Sequence, residues 1–486
     1  MDVALLERDG EAFSRAITLE YYQHQAGLKP TLDLQPIYDS FRHLFTERTL
    51  QDLERAPVEP KARRFLQDFV VTETLEARVR DLTEKLAAAE AAATVVWDGE
   101  RLPYRRAPTV WSQEPDPERR RRLNALWRQE LTRFQPLRER RHRILVEEAA
   151  NLGFGDYVAC YDTLRGLNLA SLSEQARRFL SATADVYHDT LGGFLSRLGL
   201  RRGDAWKCDL GYLFRGVEFD RFFPSDELLP SLLGTLKEMG LQLDDRVDLD
   251  DEPRPLKTPR AACFPVEIPG DVRLILAPVG GRLDYETLFH EAGHALHYAN
   301  VDGTLPFAYR RLGDTSVTET YAFLFQYLTM DLRWLTRRLR LSQPTEYLRL
   351  ATFQKLYMVR RYATKVLYEQ ELHRSENPEA AARRYRELFA DHLGVEYPRE
   401  EYLSDVDDGF YSAQYLRAWA FEAQLRSYLR EDFDEEWYRL PKVGRFLVEL
   451  WREGQRYTVE ELARFIGAEG LDLGPLQEEL LDALGR

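Results

Sequence analysis

The sequence predicts a mainly α-helical protein with one small β element near its middle. Apolar residues recur three and four apart through residues 1–200, and the same spacing resumes from 284 to the end. Between them lie two short extended runs, the only strand pattern that stands out.

Residues 1–200 read as helix after helix, an N-terminal helical lobe. The helical spacing is carried by Phe65–Phe69–Val70, by Leu123–Leu126–Trp127 and by Leu145–Ala149. Asp116-Pro117-Glu118 is a helix start, with a capping Asp, Pro at the first position and an early acid. The Arg119–Arg122 run behind it reads as a solvated face paired with nearby acids. Residues 201–486 form the second expected lobe. Its opening is mixed, and the acidic stretch Leu241–Arg254 reads as a loop near the lobe boundary. Cys263–Ile268 and Val272–Ala277 are the two extended runs, joined by the turn sequence Pro269-Gly270-Asp271. Within the second run, Arg273–Pro278 is a candidate exposed edge for pairing with an extended peptide. Thr458 with Glu461 forms a capping box that opens the last helices.

Of 486 residues, 44% are hydrophobic and 30% charged, a balance that builds a core and excludes wholesale disorder. The net charge of −14 argues against nucleic acid as a partner. Cys160, Cys208 and Cys263 fit neither a C-x-x-C site nor an even disulfide framework, so three reduced thiols are expected. The N-terminus shows no basic and then apolar leader, and no run of about 18 apolar residues occurs, so a cytoplasmic protein off the membrane is expected.

The chemistry is concentrated in Asp284-Tyr-Glu-Thr-Leu-Phe-His290-Glu291-Ala-Gly-His294-Ala-Leu-His297, which contains H-E-x-x-H. Asp284 is placed to cap this helix and Asp302-Gly303 to end it. Residues four apart on a helix share a face, about 5–6 Å apart at Cβ, so His290 and His294 can reach one cation. Glu291 stands beside them as the base for an attacking water.

A catalytic zinc needs a third protein ligand. A third His six residues on is excluded, because that position is Asn300. The next helix starts at Asp314-Thr-Ser and carries Glu319 in its first turns. Glu319 is the expected ligand, because Asp314, as the cap, is engaged by backbone N–H groups. Two imidazoles and a carboxylate suit one Zn²⁺ per chain, without excluding manganese or cobalt. His297 is either a packed helix histidine or a substrate-contacting group.

H-E-A-G-H-A-L-H followed by Glu319 resembles the thimet oligopeptidase and oligoendopeptidase F family of zinc peptidases. Leu152-Gly-Phe-Gly-Asp-Tyr157, Phe410-Tyr411-Ser-Ala-Gln-Tyr415 and Trp451–Gly467 are similar to further segments of that family. The resemblance implies a helical clamshell with a deep channel and a small sheet beside the metal helix. It implies hydrolysis of internal bonds in short unstructured oligopeptides, with His290, His294 and Glu319 on zinc and Glu291 as general base. It makes Tyr411 and Tyr415 the oxyanion donors; their i, i+4 spacing puts both phenols on one face. The chain departs from the family in lacking a His shortly before Tyr411 and in having Leu416-Arg417-Ala418-Trp419 where a glycine- and tyrosine-rich tail is usual.

Two other readings stand beside this one. The first is a metallocarboxypeptidase resembling the carboxypeptidase Taq group, with Arg417 binding a terminal carboxylate. The second is a catalytically silent, zinc-bearing peptide-binding protein.

Overall fold

The computed structural model describes residues 2–243, 245–258, 261–278, 280–341 and 344–485. The fold is mainly α, with 71% helix and 5% strand. Asp116 caps the helix Pro117–Ala149 by accepting the Glu118 and Arg119 N–H groups. Thr458 and Glu461 form the expected capping box at the start of Val459–Phe465. Among the described residues, no helix is long and apolar enough to cross a membrane.

The chain divides into two compact units, and neither is one continuous stretch. The first is Met1–Val71, Glu218–Leu348 and Arg417–Leu476; the second is Thr72–Val217, Arg349–Leu416 and Gln477–Arg486. The boundary expected near residue 200 thus falls inside the second unit. One reason lies in the N-terminal helix Val3–Gln25: Tyr22 and Ala26 bury against Phe264, Val266 and Ile275, more than 200 residues on. Contacts of that sequence separation leave no periodic trace.

Two small sheets are present among the described residues. In the second unit, β1 (Thr94–Trp97) and β2 (Glu100–Pro103) make an antiparallel hairpin, with Trp97 opposite Glu100. Its two-residue loop is Asp98-Gly99, both at positive φ (51° and 85°), the conformation of a type I′ hairpin turn. This hairpin was not expected within a helical lobe. Asp98 pairs with Arg119 and Arg122, while Arg120 is fully buried on Asp209, so the basic run is only partly a solvated face.

In the first unit, β3 (Val247–Asp250), β4 (Ala262–Glu267) and β5 (Asp271–Ile275) form a sheet of order β3-β5-β4. β5 runs parallel to β3 and antiparallel to β4. The acidic stretch expected as loop therefore supplies a strand. The run at Arg273 is the central strand and not a free edge; β4 is the outer strand on the side of the helix Arg282–Asn300, which packs on both β4 and β5.

Candidate metal centre

The helix Arg282–Asn300 carries H-E-x-x-H. It begins slightly earlier than expected. Gly281 is its N-cap, and Asp284 sits in the first turn with its carboxylate accepting the Gly280 N–H at 2.6 Å. The helix Thr315–Gln326 lies along it, capped as expected by Asp314, which accepts the Ser316 N–H at 3.1 Å.

Both imidazoles aim their Nε2 atoms at one carboxylate oxygen. His290 Nε2 is 3.4 Å and His294 Nε2 3.7 Å from Glu319 Oε2. One ligand atom from each lies within 4.8 Å of the others. Tetrahedral ligands about 2.0–2.1 Å from a zinc ion stand about 3.4 Å apart, so the donor set fits such an ion with little movement. The outer nitrogens are tied down: His290 Nδ1 donates to Gln326 Oε1 at 2.9 Å, and His294 Nδ1 is 2.8 Å from Thr318 Oγ1. An amide oxygen only accepts, so His290 donates from Nδ1, and Nε2 is the ring nitrogen left to face a cation. The imidazoles keep 14% and 12% exposure while Glu319 keeps 3%, which leaves the site approachable from the histidine side.

Burial and the Glu319 carboxylate act against each other at this point. Burial alone lowers the His290 pKa, but the Glu319 carboxylate, with Glu291 behind it, overrides that and leaves it above the ordinary value. Burial takes His294 down to about 4. Glu291 is pushed up to about 7, chiefly by burial, with the His290 charge opposing. Its Oε2 accepts the backbone N–H of Cys263 on β4 at 2.9 Å, which fixes the carboxyl against the edge strand.

Gly293, between the two ligands, was not singled out in the sequence. A Cβ there would lie 2.6 Å from both Ala322 Cα and Tyr321 O. Only a glycine lets the two helix backbones approach this closely, and that approach brings Glu319 to the histidines. Thr318 and Gln326 were missed as well. The available signal for Gly293 was a glycine in mid-helix, where it costs about 1 kcal/mol against Ala unless packing requires it.

His297 does not serve as a substrate contact. It is fully buried, its Nε2 is 3.3 Å from Gly454 O, and its ring packs on Tyr298 and edge-on to Tyr321. It shares a face with His290 but lies about 10 Å further along the axis, where the neighbouring helix covers that face.

Arg417 is also closed to ligands. Its guanidinium is 0% exposed, makes a bidentate pair with Asp314 at 2.8 and 2.9 Å, and is shared with Glu460 and Ser316. This network fixes the start of the Glu319 helix and removes the residue on which a terminal-carboxylate site depended.

Tyr411 and Tyr415 occupy the first turns of the helix Tyr411–Asp432 and belong to the second unit. Their rings meet edge-on at 4.9 Å, so the expected shared face is present. No family model matches the chain, and no curated protein matches it at a significant level.

Proposed function

We propose that the protein is a zinc metallopeptidase that hydrolyses internal bonds of short unstructured oligopeptides, of the thimet oligopeptidase and oligoendopeptidase F kind. The observation that carries this is the convergence of His290 Nε2, His294 Nε2 and Glu319 on one point, with the Glu291 carboxyl close enough to interact electrostatically with His290 and Glu319.

His290, His294 and Glu319 would hold a zinc ion, which would supply Lewis acidity for the scissile carbonyl and for an attacking water. The protein's own part is proton handling and orientation. The Cys263 N–H holds Glu291 Oε2, and Glu291 takes the water proton at its other oxygen and delivers it to the leaving amine. Gln326 and Thr318 fix the two imidazoles. Tyr411 and Tyr415, through the resemblance, donate to the oxygen that becomes negative.

The test is a digest of a broad peptide mixture read by mass spectrometry, with and without a chelator. Internal cleavages abolished by the chelator and restored by zinc support the proposal. Release of single C-terminal residues, blocked by C-terminal amidation, identifies a carboxypeptidase. Full zinc loading without any cleavage identifies a silent peptide binder.

A further inference from the structure

The segment leading into Tyr411 is held from outside at almost every residue. Gly409 (φ 65°) and Phe410 (φ 59°) both take the left-handed conformation. For a bulky residue such as Phe that conformation is strained, and it persists only where the surroundings over-determine it.

Here they do. The Gly409 N–H donates to the Tyr157 phenol oxygen at 2.9 Å, and the Gly409 carbonyl accepts Arg165 Nη1 at 2.8 Å. Arg165 lies so close that a Cβ on Gly409 would meet its guanidinium at 2.7 Å. On the upstream side, the Asp407 N–H donates to Glu369 Oε1 at 2.9 Å and Lys365 Nζ binds Asp407 Oδ2 at 2.6 Å. On the downstream side the Ser412 hydroxyl donates to the other Glu369 oxygen. The Phe410 ring is fully buried, with Tyr157 and His373 against it.

The result of this turn is specific. Of residues 409–417, Tyr411 and Tyr415 alone keep partial exposure. Tyr415 also stacks on Tyr362 at 5.2 Å, which fixes the second ring of the pair. A relaxed turn would enter the helix in another direction and change where the Tyr411 phenol points.

We propose that Tyr157, Arg165 and Glu369 are positioning residues that hold the left-handed Gly409–Phe410 turn and so set the direction of the Tyr411 phenol. This rests on the oxyanion role given to Tyr411 above.

Tyr157→Phe removes one hydrogen bond and nothing else. In the zinc-loaded protein it lowers kcat about three- to tenfold, the size of one hydrogen bond, with KM within about twofold. In a Tyr411→Phe background the same change has no further effect. With 3-fluorotyrosine placed at 411 alone, the fluorine signal shifts or splits in Tyr157→Phe. Should Tyr157→Phe unfold the protein, Arg165→Met removes the other Gly409 bond and carries the same cycle. An equal loss in both backgrounds, or an unmoved fluorine signal, overturns the proposal. Parent kcat in Tyr411→Phe alone refutes the tyrosine's part in the reaction and this proposal with it, and the fluorine signal still reports separately whether the turn is held.

Discussion

Gly293 and Ala322 touch backbone to backbone, leaving no room for a methyl group between the helix that carries both histidines and the helix that carries Glu319. The spacing between His290, His294 and Glu319 therefore depends on Gly293 having no side chain. Gly293→Ala should force the helices apart, costing about 1–3 kcal/mol of stability as overpacking does. It should also weaken zinc binding by more than tenfold, because Glu319 moves away from His290 and His294. Thermal unfolding and zinc competition titration check both. An unchanged zinc affinity would show that the contact does not set the site.

The outer hydrogen bonds of the imidazoles predict a second effect on zinc binding. Gln326→Leu frees His290 Nδ1, and Thr318→Val does the same for His294. Each should reduce zinc affinity roughly 10- to 100-fold while leaving the ligands themselves in place. Competition with a chromogenic chelator measures this.

Arg417 and Asp314 predict a dependence on pH. Burial by itself raises the Asp314 pKa, but Arg417 outweighs it and holds the carboxyl below its ordinary value. A depressed carboxylate contributes stability above its unfolded pKa and loses it as pH falls through the folded one. Arg417→Met leaves Asp314 buried and unpaired, and should cost about 3–5 kcal/mol near neutral pH. The deficit should shrink toward about pH 4, where Asp314 can take a proton and become neutral. Urea midpoints of parent and variant across that range give the answer, and a deficit independent of pH would contradict the assignment.

The sequence carried much of the candidate metal site and little of what surrounds it. His290, Glu291 and His294 were legible because i, i+4 spacing on a helix is a local geometric fact. Glu319 was legible because Asp314 marks the helix start, which left Glu319 as the carboxylate with no capping duty. Gln326, Thr318 and Gly293 were not, since their partners lie on another helix. Arg417 misled for a related reason. Nothing local distinguishes an arginine bound to Asp314 and Glu460 from one facing solvent. The strand at Val247–Asp250 was hidden because acidic residues are poor strand formers and its pairing with β5 is decided by tertiary contact. The β1–β2 hairpin is different, because Asp98-Gly99 after Thr94–Trp97 is a local hairpin signal that the sequence does carry.

One helix face and one glutamate are proposed to hold a cation, with Glu291 as the base. Glu291→Gln keeps the shape of that side chain and removes its ability to take a proton. Zinc content and cleavage of a quenched fluorescent peptide are measured on the same preparation. One zinc per chain, as in the parent, and a rate lower by about 10²- to 10⁴-fold are expected. Cleavage at the parent rate with zinc retained would contradict it.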